Sequence, residues 1–238
     1  MSIDLEIRHE CINLGISRLC HFTPSRNLAH IIAGRLGILA TARLENSERN
    51  VFNATDLNRL DGHKNHICCS IEYPNGWYFS STRSAEQLFK DWVVLLIKPD
   101  YLWQPDTLFC ARNAAAGYGR YIQAGIAGFR LLYESSVIGA GNRTIRRGPK
   151  HLPTCPTDNQ AEVLIPDCIR LSDVFGIVVQ NEDQARNELC RLRLQGLEIE
   201  FDIYISPTFY DKRNLSSAIS GGWRPEEKRF SEGGCDGQ

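Results

Sequence analysis

The segment Trp92-Val-Val-Leu-Leu-Ile97 constrains this chain more than any other. Six apolar residues in succession are too few to span a membrane and too unbroken for a strand with one face in water, whose sequence would alternate. Continued to Lys98, they read as a strand in the middle of a sheet covered on both sides. Such a sheet needs a sizeable chain, and 238 residues can bury a full core. With 42% hydrophobic and 23% charged residues, the composition is that of an ordinary globular protein, so an ordered body is expected.

Shorter elements surround this strand. Residues 19–22 (LCHF) read as a strand. A helix is expected to start at Thr23 and Pro24, with threonine as cap and proline in the first turn, an apolar face of Leu28, Ile31 and Ile32, and Gly34 as its stop. Residues 67–72 (ICCSIE) read as a strand and Tyr78-Phe79 as the opening of another. Ser84 with Gln87 has the form of a capping box for a further helix. Residues 118–133 are expected to be helical, and 139–160, rich in Gly, Pro, Arg and Asn, to form a long loop. Strands are expected at 161–165, 175–180 and 199–205, with a helix over 182–194. There is no regular βαβ alternation and no G-x-G-x-x-G after a first strand, which disfavours a Rossmann fold. The expected class is α+β, one domain over residues 1–238, with a polar, mobile tail from about 207.

A net charge of −1 means that affinity for nucleic acid would have to come from a local basic patch. The first ten residues carry three acids and no apolar run, unlike a signal peptide, so a cytoplasmic location is the default and no membrane partner is expected. Nine cysteines stand without a C-x-x-C pair and read as buried, reduced, small hydrophobes. His63, His66 and Cys68 lack a fourth ligand close by, so no metal is expected.

Five stretches hold the residues suited to chemistry. His21 and Thr23, at a strand end beside a helix start, can hydrogen-bond hydroxyls and an amide, with Asn27 following. Gln160 and Glu162 lie two apart at the mouth of an apolar strand, hence on one side of it, and a carboxylate there can stabilise an oxocarbenium-like centre or accept a proton. Between them and the preceding helix, Arg143, Arg146, Arg147, Lys150 and His151 form a basic loop without an acid, suited to phosphates. Arg59 can clamp a pyrophosphate, and Pro74-Asn75-Gly76 marks a turn ahead of Trp77, Tyr78 and Phe79. Asn113-Ala-Ala-Ala116-Gly117 is either a helix start or a place of close ligand approach.

In this order, H-F-T-x-x-x-N-L near the start, an arginine-containing middle, N-A-A-A and then Q-A-E-V-L-I-P resemble DarT, a bacterial family of DNA ADP-ribosyltransferase toxins, from about residue 19 to 179. The resemblance implies an ADP-ribosyltransferase-like fold of central split, antiparallel-rich sheets with flanking short helices, and NAD⁺ as co-substrate. It implies that His21 and Thr23 hold the nicotinamide ribose and amide, with Asn27 nearby, and that Glu162 is the catalytic acid residue. Arg59 would match the family's mid-chain arginine, which contacts the NAD⁺ phosphates and supports catalysis, although Arg43 and Arg49 are also available. Gln160 resembles the glutamine of the Q-x-E pattern, and the loop 140–161 would recognise the substrate. One departure stands out. Thymidine-modifying members carry Y-F-x-P-x-x-P-M, whereas this chain has S-I-E-Y-P-N-G-W-Y-F and looks like the branch associated with guanosine. The resemblance also implies a cognate antitoxin, either a DarG macrodomain protein or a NADAR-type hydrolase, in phage defence or growth control.

The function expected from this reading is transfer of ADP-ribose from NAD⁺ to a nucleobase of single-stranded DNA, guanine favoured and thymine the alternative. A single strand offers the base without the few kcal/mol that unstacking costs. Three other readings remain open. The same NAD⁺ site could serve an RNA- or protein-directed transferase, or an NAD⁺ glycohydrolase without an acceptor. A non-catalytic nucleic-acid-binding module would leave the Gln160-Ala161-Glu162 stretch without a reason.

Overall fold

A computed structural model describes residues 3–34, 36–44 and 59–231 of the chain. Its strands in chain order are β1 (Leu19–Pro24), β2 (Ile38–Leu39), β3 (His66–Ile71), β4 (Trp92–Ile97), β5 (Leu108–Cys110), β6 (Gln123–Ala124), β7 (Ser136–Ile138), β8 (Thr144–Arg146), β9 (Glu162–Pro166), β10 (Cys168–Ile169), β11 (Val174–Val179), β12 (Asp202–Ile205) and β13 (Lys228–Arg229). The helices are α1 (Leu5–Leu14), α2 (Arg26–Ala33), α3 (Gly76–Ala85), α4 (Gly125–Leu131), α5 (Glu182–Leu194) and α6 (Lys212–Gly221). Nine strands form one sheet in the order β13-β12-β11-β4-β1-β3-β9-β5-β6, antiparallel except for the β11–β12 pair. This is the α+β class expected, with no doubly wound parallel sheet.

β4 sits where its sequence requires, between β1 and β11, and all six residues are buried. Its side chains alternate between two cores. Trp92, Val94 and Leu96 pack with Tyr73, Phe79 and Ile219, whereas Val93, Leu95 and Ile97 pack with Leu28, Ile31 and Ala185. Truncating fully buried Leu95 to alanine is expected to cost about 2–5 kcal/mol.

The sheet splits beside this strand. β1 pairs with β4 along all six residues, but with β3 only at Leu19↔Ile71 and Cys20↔Ser70. From His21 onward β1 and β3 separate, which is the split sheet that the family resemblance implied. A cleft lined by residues of both strands occupies that parting.

Several local expectations are corrected. Thr23 and Pro24 belong to β1, and α2 starts at Arg26 after Ser25, because pairing with Trp92 and Val93 of β4 outcompetes capping. Tyr78 and Phe79 lie inside α3, which Asn75 caps by accepting from the Tyr78 N–H at 3.1 Å. Ser84 falls in the last turn of α3, donating to Ser80 O at 2.8 Å, and no helix follows it directly. Only Gly125–Leu131 of the segment 118–133 is helical, since Gly117, Tyr118 and Gly119 all have positive φ. The loop 139–160 begins with a hairpin of β7 and β8. The tail expected from 207 folds through α6 and β13, and Asp211 caps α6 while Leu215 and Ile219 anchor its buried face. Composition averaged over the tail hides a four-residue apolar spacing. Among the described residues no helix is long and apolar enough to cross a membrane.

Candidate active site

Glu162 opens β9, opposite Cys110 of β5, and the next residue, Val163, pairs with Cys69 of β3. Its side chain is only 5% exposed and is held by three donors. Oε1 accepts from the amides of Asn75 at 3.1 Å and Asn113 at 3.0 Å, and Oε2 from the Ala114 backbone N–H at 2.8 Å. Burial pushes its pKa up to about 7, against the Ala114 and Asn75 hydrogen bonds, which favour the charged form. A fixed carboxyl that gains and loses its proton near neutrality is suited to general-base work.

Asn75 fixes that carboxyl to the rest of the fold. Its backbone N–H donates to Ser70 Oγ at 3.0 Å, its Oδ1 caps α3 and its Nδ2 reaches Glu162. One residue thus ends β3's turn, starts a helix and orients the carboxylate. Asn113 acts from the other side, accepting from the Ala115 N–H at 3.1 Å while donating to Glu162.

His21 stands where β1 leaves β3. Its Nδ1 lies 2.9 Å from Cys68 O, so Nδ1 donates and Nε2 of the neutral ring is an acceptor. The imidazole takes the place of the ladder bond that the split removes. Burial lowers its pKa, and the charge of Arg59 lowers it further, which keeps the ring neutral. Two residues on, Thr23 Oγ1 accepts from Asn27 Nδ2 at 2.9 Å, and both residues are buried.

Arg59 is buried and its φ is positive. Nε and Nη2 bond the two carboxylate oxygens of Asp61 at 3.1 and 2.8 Å, and Nη1 and Nη2 also donate to the carbonyls of His66 and His63. Burial alone would raise the Asp61 pKa, but the Arg59 hydrogen bonds and charge, with the His63 N–H, hold it below the usual carboxylate value.

These groups converge. His21, Thr23, Asn27, Arg59 and Glu162 all line one cleft, together with Asn113 and Tyr78. It encloses about 1320 Å³ including its open mouth.

Other expected residues do not meet there. Gln160 lies in a turn before β9, where strand alternation does not apply, and it does not line the cleft. Arg43 is exposed and pairs with Asp167 at 2.7 Å, outside the lining, while Arg49 lies outside the described residues. None of Arg143, Arg146, Arg147, Lys150 and His151 lines the cleft. Arg147 turns inward instead, donating to the carbonyls of Cys155, Leu152 and Pro153 at 2.8, 2.8 and 3.1 Å. His151 Nε2 donates to Pro156 O at 2.9 Å. These two close the loop on itself, while Arg143, Arg146 and Lys150 are exposed.

Sequence reasoning missed Asn75, the Ala114 N–H and Asp61. Asn75 was legible only as part of a turn, and an asparagine between a strand and a helical run is the N-cap signal that marks it.

The family profile described as "ssDNA thymidine ADP-ribosyltransferase, DarT" matches residues 20–211. Among solved structures, Thermus sp. 2.9 DarT in complex with NAD⁺ superposes with a TM-score of 0.54 at 16% identity, over 82% of this chain and 97% of that one. The same protein in complex with ADP-ribosylated ssDNA gives 0.52 at 12% identity over the same shares. Thermosipho africanus DarTG in complex with ADP-ribose gives 0.53 at 16% identity over 82% of this chain, which spans about half (51%) of that one. No curated protein sequence matches. At these identities the structures establish the shared fold, and the profile, covering well over half of the residues, establishes the kinship: the chain belongs to the DarT family of single-stranded DNA ADP-ribosyltransferases.

Proposed function

We propose that this chain transfers ADP-ribose from NAD⁺ to a nucleobase in single-stranded DNA, with Glu162 as the catalytic residue. The observation that carries this reading is a carboxyl of pKa about 7, held by three donors in a cleft that neutral His21 also lines. NAD⁺ supplies a ribose bond whose leaving group, nicotinamide, departs neutral from a cationic state. The cleft residues fit it: Glu162 accepts from ribose hydroxyls and takes the proton of the attacking base nitrogen, and His21 Nε2 with Thr23 and Asn27 binds ribose and amide. The structures of Thermus sp. 2.9 DarT with NAD⁺ and with ADP-ribosylated ssDNA support both substrates.

The role of Arg59 is proposed in altered form. Both faces of its guanidinium fork are engaged by Asp61 and two carbonyls, so it shapes and polarises the cleft wall rather than clamping a pyrophosphate with two open N–H groups. Gln160 is given no part in binding NAD⁺.

For the base, guanine is proposed. The stretch that departs from the thymidine-modifying pattern, residues 70–79, contains Ser70, Asn75 and Tyr78, which reach Glu162 or line the cleft. The difference thus falls against the reacting centre. A cognate antitoxin that removes ADP-ribose completes the reading, and the similarity to Thermosipho africanus DarTG supports a DarG-type partner.

The test is incubation with NAD⁺ and single-stranded DNA, RNA or protein, followed by nuclease digestion and mass spectrometry. One ADP-ribosyl group on deoxyguanosine is the expected product. Modified thymidine alone would remove the base preference and leave the activity. Free ADP-ribose with no acceptor would make the chain a glycohydrolase, and labelled RNA or protein would reassign the substrate. Treating the product with a DarG macrodomain or a NADAR-type hydrolase identifies the antitoxin class.

A further inference from the structure

The family match ends at residue 211, and the chain then adds α6 and a tryptophan that α6 holds in place. α6 ends in a left-handed Gly222 (φ 81), and the Trp223 N–H donates back to Ala218 O at 2.9 Å. This is a Schellman end, in which the residue at the Trp223 position commonly packs back on the helix. Here the indole edge lies over Gly221, where an added Cβ would fall 2.7 Å from Nε1, yet Trp223 remains 71% exposed, against 42% for Trp77, 8% for Trp103 and 2% for Trp92.

Both ends of α6 touch the machinery. At its start, a Cβ on Gly76 would lie 3.3 Å from Lys212 Cα and 3.2 Å from Leu215 Cδ2, so α6 presses on the residue next to Asn75, which holds Glu162. At its end, Ile219 O accepts from the Leu152 N–H at 3.0 Å, and a Cβ on Gly222 would come within 2.5 Å of Lys150 O. The helix therefore sets the register between the carboxyl and the basic loop. Ten residues span about 15 Å, so Trp223 stands away from the reacting centre.

Two exposed cations adjoin Trp223. Lys150 adjoins through Gly222, Arg224 follows with its side chain 61% exposed, and Arg146 and Arg143 lie farther along the same loop. Arg224 approaches Glu72 at 3.8 Å, and Glu226 is the exposed acid nearby in sequence. An open indole ring among cations is the arrangement that stacks bases while phosphates are neutralised, and it suits a strand whose bases are unpaired.

We propose that Trp223, with Lys150 and Arg224, is a second contact for single-stranded DNA, stacking a base outside the reacting nucleotide and so setting length or context preference. The proposal rests on the DNA-directed reading above. Its test measures binding of a short fluorescein-labelled single-stranded oligonucleotide and, separately, of NAD⁺, by wild type, Trp223→Ala and Trp223→Phe. Trp223→Ala is expected to weaken oligonucleotide binding about tenfold, to leave NAD⁺ binding unchanged, and to be largely rescued by Trp223→Phe. Lys150→Ala is expected to reduce the salt slope by about 0.7. An oligonucleotide too short to reach Trp223 should bind the wild type and Trp223→Ala alike. Wild type that modifies DNA, with Trp223→Ala binding the longer strand equally well, overturns this contact alone. Wild type that neither binds nor modifies single-stranded DNA overturns both readings.

Discussion

The cleft and the basic loop ahead of its carboxyl are both dense in polar groups, yet they are built in opposite ways. In the cleft, residues far apart in sequence are buried together, as where Asn75 reaches Glu162 across 87 positions. In the loop, residues adjacent in sequence part company: Arg147 and His151 bond the loop's own carbonyls, and Arg146 faces water. A buried polar group must be satisfied or it costs about 1–3 kcal/mol, so burial fixes each cleft side chain to its partners. Exposed cations carry no such constraint and are free to meet a phosphate. The comparison thus separates groups that shape chemistry, groups that hold the scaffold, and groups available to a ligand.

The sharpest test of the first class is Glu162→Gln. If the carboxyl performs the chemistry, transfer falls by about 10³-fold or more, while NAD⁺ affinity by calorimetry stays within a few-fold. Retained transfer would sink the assignment. The same variant checks the burial argument. In the fold Glu162 titrates at about 7, raised from 4.5, so the folded protein binds the proton more tightly than the unfolded chain. Stability contributed by that protonated state is present at low pH and declines as pH rises from about 4.5 through 7. Glutamine cannot titrate, so relative to wild type the variant should gain about 3 kcal/mol between pH 4 and 8, read from denaturation midpoints across pH.

Within the loop the comparison predicts opposite outcomes for neighbouring arginines. Arg147→Ala leaves the Cys155, Leu152 and Pro153 carbonyls without their donor and should lower stability by about 2–3 kcal/mol. Arg146→Ala should leave the melting temperature nearly unchanged and reduce the salt slope of oligonucleotide binding by about 0.7. Equal effects of the two substitutions on stability would erase the distinction between staple and exposed cation.

What the sequence disclosed follows the same division. β4 and α5 were legible because an unbroken apolar run and a 3.6-residue period each record burial directly. Glu162 was legible because an acid at the head of an apolar strand is unusual, and His21 because of the motif around it. Asn75 was not, since its role depends on a partner that only folding brings near. The basic loop was half legible: composition records charge but not direction, so Arg147 and Arg146 looked alike. α6 was missed for a related reason, its two buried anchors, Leu215 and Ile219, being outnumbered by polar neighbours.

The finest test concerns how the cleft's donors tune its carboxyl. Asn113 Nδ2 donates to Glu162 Oε1 at 3.0 Å, and a hydrogen bond to the charged form lowers a carboxyl's pKa. Asn113→Ala removes that donor while Asn75 and Ala114 keep theirs, so the carboxyl should hold its proton more tightly, by about one pH unit. If deprotonated Glu162 is the base, the acid limb of kcat/KM for NAD⁺ moves to higher pH by that amount, with the plateau above it less affected. At pH 7 the variant would then look severalfold slower, and at pH 9 it would approach wild type. A merely structural asparagine gives a different pattern, a uniform loss at every pH with the limb in place. That result would show that Asn113 holds the Glu162 carboxyl in place without tuning it, leaving burial opposed by Ala114 and Asn75 alone.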